Sequence, residues 1–139
     1  MKYVLDTNAV SALMKGERSL LARLSKVARR EVGMPQPVVA EIEYGIQRLE
    51  RSKRKEALKA RLELMKSEIQ RVEWTDEVSD HFGRIKAALE RRGERIEDFD
   101  AAVAAHALAH DSVLVTANLK QMVRVSGLQV EDWARPAQK

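Results

Sequence analysis

A chain of 139 residues with 45% apolar and 33% charged content carries enough apolar material for one packed core, which excludes a disordered tail. No apolar run approaches the roughly 20 residues that cross a bilayer, and the lack of any cysteine excludes disulfides and thiolate metal sites. A net charge of +4 and a pI near 9.5 favour a polyanionic partner without identifying it.

Lys2 to Leu5 reads as a short buried strand, after which Thr7 or Asn8 caps a helix through about Met14. A second helix over roughly Arg18 to Arg30 aligns Leu20, Leu21, Leu24, Val27 and Ala28. Val32 to Met34 is a weak strand candidate because Pro35 and Pro37 follow at once. Pro37 suits the first turn of a helix whose apolar face is Val38, Ile42, Gly45, Ile46 and Leu49. Glu41 falls inside that stripe. A turn near Arg51-Ser52 leads into a helix aligning Leu58, Leu62, Met65 and Ile69. Around this turn Arg48, Arg51, Lys53, Arg54, Lys55, Lys59 and Arg61 are opposed only by Glu50 and Glu56. The run reads either as a solvated helix surface or as a patch that tracks a phosphate backbone.

Gln70 to Glu73 is the next strand, closed by Trp74, and Thr75 caps a helix with Val78, Phe82, Ile85 and Leu89 aligned and an end near Gly93. Glu94 to Phe99 leads into a helix whose stripe is Asp100, Val103, Ala104, Ala107 and Leu108. Asp98 is expected as the cap of that helix or as a secondary acid at the rim of a site. Ser112 to Val115 is a strand, and Leu128 to Val130 is a last edge strand. Strands alternating with helices predict a three-layer α/β/α sandwich with a mainly parallel central sheet. The expected organisation is a single domain over 1–139, with its core in 1–133 and a loose tail over 134–139. No signal-peptide pattern opens the sequence, so the cytoplasm is the expected location.

Three acids thus stand where the apolar pattern predicts core: Asp6, Glu41 and Asp100. An unpaired buried carboxylate costs several kcal/mol, and several acids converging on one place repel one another unless a cation sits between them. Each acid also has a plainer reading. Asp6-Thr7-Asn8 is a good strand-end turn and cap, Glu41 could face a buried arginine, and Asp100 suits the positive end of a helix. Together they outline an oxygen-ligand site for a hard cation, Mg²⁺ or Mn²⁺, of the kind that supports attack on a phosphodiester. Asp6, Thr116, Ala117 and Asn118 lie at the carboxyl ends of their strands, where parallel α/β folds bind ligands. His81, His106 and His110 read as ordinary helix residues.

The segments YVLDTN, VVAEIEYGI, GRIKAALERRGERIEDFDAAVAAHALAH and LVTANLKQMVRVSGLQVEDW, in that order, resemble a PIN domain over nearly the whole chain. Specifically they resemble a VapC-type toxin of a toxin–antitoxin pair. The resemblance implies the PIN sandwich and a Mg²⁺- or Mn²⁺-dependent endoribonuclease leaving a 5′-phosphate and a 3′-hydroxyl. Asp6, Glu41 and Asp100 match the family's three main acids, the implied metal ligands, and Thr116 and Asn118 match its segment after the fourth strand. The chain departs from the pattern at Asn118 and Gln121, where many relatives carry an acid, at Met122 in place of an aromatic residue, and at Gln36 in place of serine. The missing acid weakens a second metal site most. Also implied are a homodimer and a VapB-type antitoxin that blocks the acidic site with a basic side chain and carries the complex to promoter DNA.

Two further classes remain at this stage. One is a PIN-like module that binds RNA or an antitoxin without cutting, motivated by the missing fourth acid. The other is a receiver- or phosphatase-like domain with Asp6 as phospho-acceptor, opposed in its phosphatase form by the absence of an acid at Asn8.

Overall fold

In the computed structural model, which describes residues 1–135, the chain forms strands Tyr3–Leu5 (β1), Val32–Pro35 (β2), Gln70–Val72 (β3), Val113–Val115 (β4) and Val130–Glu131 (β5). They make one sheet in the order β3-β2-β1-β4-β5, and every pairing is parallel. Between them run Thr7–Met14 (α1), Arg18–Ser25 (α2), Gln36–Gln47 (α3), Lys53–Glu68 (α4), Asp76–Arg91 (α5), Asp98–Ala109 (α6) and Leu119–Met122 (α7). The chain builds the sheet outward from β1 in one direction through β3, then returns to place β4 on the other side of β1. With right-handed crossovers this reversal puts α1–α4 on one face and α5–α7 on the other. The crevice of such a sheet opens where the strand order reverses, between the carboxyl ends of β1 and β4.

The core is aliphatic. Val4, Leu5, Val32, Met34, Leu114 and Val115 fill both faces of the three inner strands, as a parallel sheet covered on both sides requires. Gly33 is where β2 passes Met1 and the Val72 side chain, and a Cβ there would collide with both. Helix α6 is buried from Ala101 through Ala107, well beyond the single stripe its spacing predicts. Its alanines let it lie close against α3, α5 and the sheet at once.

Several boundaries differ from expectation. Asp6 itself caps α1, through Ala9 N at 2.8 Å, so neither Thr7 nor Asn8 does. The second helix stops at Ser25 and the chain then makes a short 3-10 turn over Arg29–Glu31. Pro35 closes β2 without disrupting it, because as the last strand residue it need not donate to a neighbour. The edge strand is Val130–Glu131, displaced toward the C-terminus from the Leu128 start. The cap position of α6 is Glu97, without a side-chain bond, and Asp98 is ion-paired with Lys86 of α5 instead. Most of the tail expected over 134–139 lies outside the described residues. Among the described residues no helix is long and apolar enough to cross a membrane.

Candidate active site

The site begins with the last bond of β1. Asp6 N donates to Val115 O at 3.1 Å, which fixes Asp6 at the carboxyl end of the strand beside β4. Its side chain then turns over the N-terminus of α1 and accepts from Ala9 N. Asp6 is 6% exposed. Burial is the main reason its carboxyl titrates above the ordinary range; the Thr116 hydroxyl and Ala9 N–H pull it back, while the charges of Asp100 and Glu41 push it further up. The cap bond uses Oδ1 alone, so capping α1 leaves the second carboxylate oxygen of Asp6 uncommitted to the cap.

Glu41 is half-buried in the second turn of α3, and its Oε1 accepts from the Thr7 hydroxyl at 2.5 Å. This bond ties the start of α1 to α3, and among the described residues no buried arginine pairs with Glu41. Asp100 is half-buried in the first turn of α6. Burial raises its carboxyl above the ordinary range, the charges of Glu41 and Glu97 add to that, and Arg124 opposes it. The three acids expected to act together thus come from three separate elements and feel one another's charge. Thr116 is buried at the end of β4, and its hydroxyl accepts from Asn118 N at 2.9 Å, so the turn after β4 is held in shape beside Asp6. Asn118 occupies the cap position of α7 without using its side chain there. Asp98 has a side chain 75% exposed and paired to Lys86.

Among the described residues no trio of Asp, Glu and His stands at metal-ligating spacing. The donor set is nonetheless all oxygen, partly desolvated and raised in pKa at two of its members, which is the environment a hard divalent cation relieves. The residues fit such an ion.

Two side chains near the acids escaped the sequence reading. Thr7 orients Glu41, a role the Asp-Thr pair permits but does not announce. Arg124 supplies positive charge that opposes the rise at Asp100; Arg124 Nε is fixed on Gln121 O at 3.0 Å, and its Nη2 is buried without a partner among the described residues. Nothing in the spacing of Arg124 signals this, because only tertiary structure joins α6 to the loop after α7. Of the basic run, Lys55 is spent on structure, donating to Leu49 O at 3.0 Å and Gln47 O at 3.3 Å to close the α3–α4 turn. Arg48, Arg51, Lys53 and Arg54 are exposed. His106 is fully buried, its Nδ1 on Ala102 O at 2.8 Å and its ring edge-on to Trp74, away from the acids.

A model of the PIN domain family matches residues 3–128. The chain is 31% identical to Ribonuclease VapC2 of Rickettsia felis over 135 residues, 96% of this chain and 98% of that one. It is 27% identical to the tRNA(fMet)-specific endonuclease VapC of Shigella flexneri over 134 residues, 96% of this chain and 99% of that one. Among solved structures, that of VapBC2 from Rickettsia felis bound to a DNA fragment from its promoter superposes with a TM-score of 0.86 at 28% identity, covering 96% of this chain and 99% of that one.

Proposed function

The chain belongs to the PIN-domain family, and on that premise we propose that it is a metal-dependent endoribonuclease, the toxin of a VapBC-type toxin–antitoxin pair. The observation that carries the reading is that the fold brings three carboxylates from separate elements, the end of β1, α3 and α6, within electrostatic reach of one another, with Asp6 raised by burial and the charges of Asp100 and Glu41, and Asp100 raised by burial and the charges of Glu41 and Glu97. Asp6, Glu41 and Asp100 are the residues we assign to a divalent ion, Mg²⁺ or Mn²⁺, with Asp98 a secondary acid at the rim. Once bound, the ion supplies a low-pKa water and Lewis acidity toward a phosphate oxygen. Thr7 holds the Glu41 carboxylate in place. Asp6 keeps Oδ1 on Ala9 N, which fixes the direction of its other oxygen. Thr116 and Asn118 orient the attacking water or the scissile phosphate. Cleavage leaves a 5′-phosphate and a 3′-hydroxyl.

The assigned partners follow the relatives: an RNA substrate, a VapB-type antitoxin and promoter DNA reached through that antitoxin, with a homodimer as the assembly and the cytoplasm as the location. The missing acid at Asn118 and Gln121 is the ground for a non-cleaving module, and the similarity to a ribonuclease and a tRNA endonuclease over nearly the whole chain weighs against it. Incubating purified protein with total RNA and with tRNA(fMet), in Mg²⁺, Mn²⁺ or EDTA, tests the proposal. Discrete fragments only with metal support it, and intact RNA throughout opposes it.

A further inference from the structure

A cleft that none of the three acids lines lies between α5, the far end of α6 and the turn after α7, with a volume of about 340 Å³. That is the size of a small-molecule site, at the lower end of the roughly 300–1,000 Å³ such sites occupy. Leu108, its α6 wall, stands eight residues beyond Asp100, about 12 Å along the helix axis. Ile85, Leu89 and Val125, all buried, complete its apolar lining.

The polar part of the cleft is cationic. Arg84, Arg92 and Arg124 line it together with His81, and among the described residues no carboxylate joins them. Arg124 Nε is held on Gln121 O at 3.0 Å, while its Nη2 is shielded from water and has no acceptor among the described residues. An unmet donor on a charged group is costly, and an anion held beside it relieves that cost. Arg92 reaches the same turn, its Nη2 3.4 Å from Arg124 O. The acids that Arg84 and Arg92 do meet, Asp80 and Glu94, form solvent-exposed pairs. Such pairs contribute little and exchange readily for another anion.

Three guanidiniums match a doubly charged phosphate, whose oxygens accept bidentate pairs from the planar forks. A carboxylate, with one charge and two oxygens, satisfies only one of them. The apolar lining and the His81 ring beside them suit a flat heterocycle, which also stacks on guanidinium planes. The volume admits one such unit and not the helix of a protein partner. We infer that this cleft is a binding site for a nucleoside phosphate, with the phosphate on Arg92 and Arg124 and the base against His81 and the apolar lining. The ligand is either a free mononucleotide or the phosphorylated end of an RNA strand.

The test is calorimetric titration of the full chain with adenosine 5′-monophosphate in EDTA, where no metal at the acids can hold a phosphate. The result therefore stands whether or not the chain is a nuclease. The monophosphate is expected to bind, and adenosine or inorganic phosphate alone to bind at least about tenfold more weakly. Arg92→Gln and Ala88→Glu, both at exposed positions of the cleft, should each lower affinity about tenfold or more with the melting temperature unchanged. Arg51→Gln, in the basic run ahead of α4, should leave affinity as it is. Displacement by a 5′-phosphorylated RNA trinucleotide, but not by its 5′-hydroxyl form, supports the site with a strand end as its ligand. Displacement by neither supports it with the free nucleotide. No binding of the monophosphate, affinity unmoved by both cleft variants, or an equal loss in Arg51→Gln overturns the inference. So does an acidic peptide that binds the cleft where the monophosphate does not, which assigns it to a protein partner.

Discussion

The Thr7 hydroxyl donates to Glu41 Oε1 across 34 residues of chain, joining the first turn of α1 to the second turn of α3. It is the one side-chain bond fixing Glu41 among the described residues, so Glu41 orientation depends on it. Thr7→Val keeps the shape and loses the bond. Hydrogen bonds to charged groups are worth about 1.5–3 kcal/mol, so we expect kcat to fall about tenfold or more with little change in fold. Thr7→Ser restores most of it. Steady-state cleavage of a defined RNA by the two variants checks this.

Asp6→Asn abolishes cleavage but leaves the metal-free protein as stable as before or more so, because the substitution removes a buried charge repelled by two neighbours. The amide oxygen still accepts from Ala9 N, which preserves the cap. Thermal melting in EDTA is the measurement. A large fall in melting temperature shows that the Asp6 charge serves the fold.

The pH dependence of metal-free stability follows in sign. Asp6 and Asp100 both have carboxyls raised in the folded state, so between the unfolded and folded pKa values the native protein binds more protons. Stability then rises as pH falls toward the ordinary carboxylate range. His106 acts oppositely: burial lowers its pKa, so stability is lost as pH falls below the ordinary imidazole value. Denaturant titrations in EDTA across pH 4 to 8 separate the two. Asp6→Asn flattens the acid-stabilised part and leaves the His106 part in place. Metal affinity, which requires ionised carboxylates, rises with pH over the same range.

How much of this was legible in the sequence depends on what encodes each feature. Glu41 and Asp100 stood out because a carboxylate inside an apolar stripe contradicts its surroundings, and periodicity alone exposes the contradiction. Asp6 stood out by its place at the end of a strand. Of the two readings of Asp98, the cap falls to Glu97, because the capping preference of Asp98 is local whereas Lys86, which captures it, comes from a helix brought alongside by the fold. Arg124 was invisible for the same reason, its link to Asp100 being purely tertiary. The stripe on α6 was too narrow because alanine is a weak hydrophobic signal, and a helix buried all round loses its period.

Asn118 tests the consequence of the missing acid. Its side chain makes no cap bond, so Asn118→Asp adds charge at the carboxyl end of β4 without breaking that cap. Mn²⁺ affinity should rise several-fold in a calorimetric titration, with metal-free stability lowered by less than about 1 kcal/mol. Unchanged affinity places residue 118 outside the metal's reach.

The C-terminal closure is structural. Trp133 is 1% exposed, stacks edge-on to Tyr3 at 5.2 Å and donates to Glu131, which also receives Arg23 at 3.0 Å. Trp133→Ala should cost about 3–5 kcal/mol in chemical denaturation, with loss of activity following loss of fold.

Asp6, Glu41 and Asp100 are assigned as the carboxylates that would hold divalent metal for hydrolysis of an RNA phosphodiester, and the chemistry of the cut ends tests that assignment most directly. Fragments from cleavage in Mn²⁺ should carry 5′-phosphates and 3′-hydroxyls, and disappear with EDTA and in Asp6→Asn, Glu41→Gln and Asp100→Asn alike. Fragments ending in 2′,3′-cyclic phosphates, or persisting in any of the three variants, would contradict it.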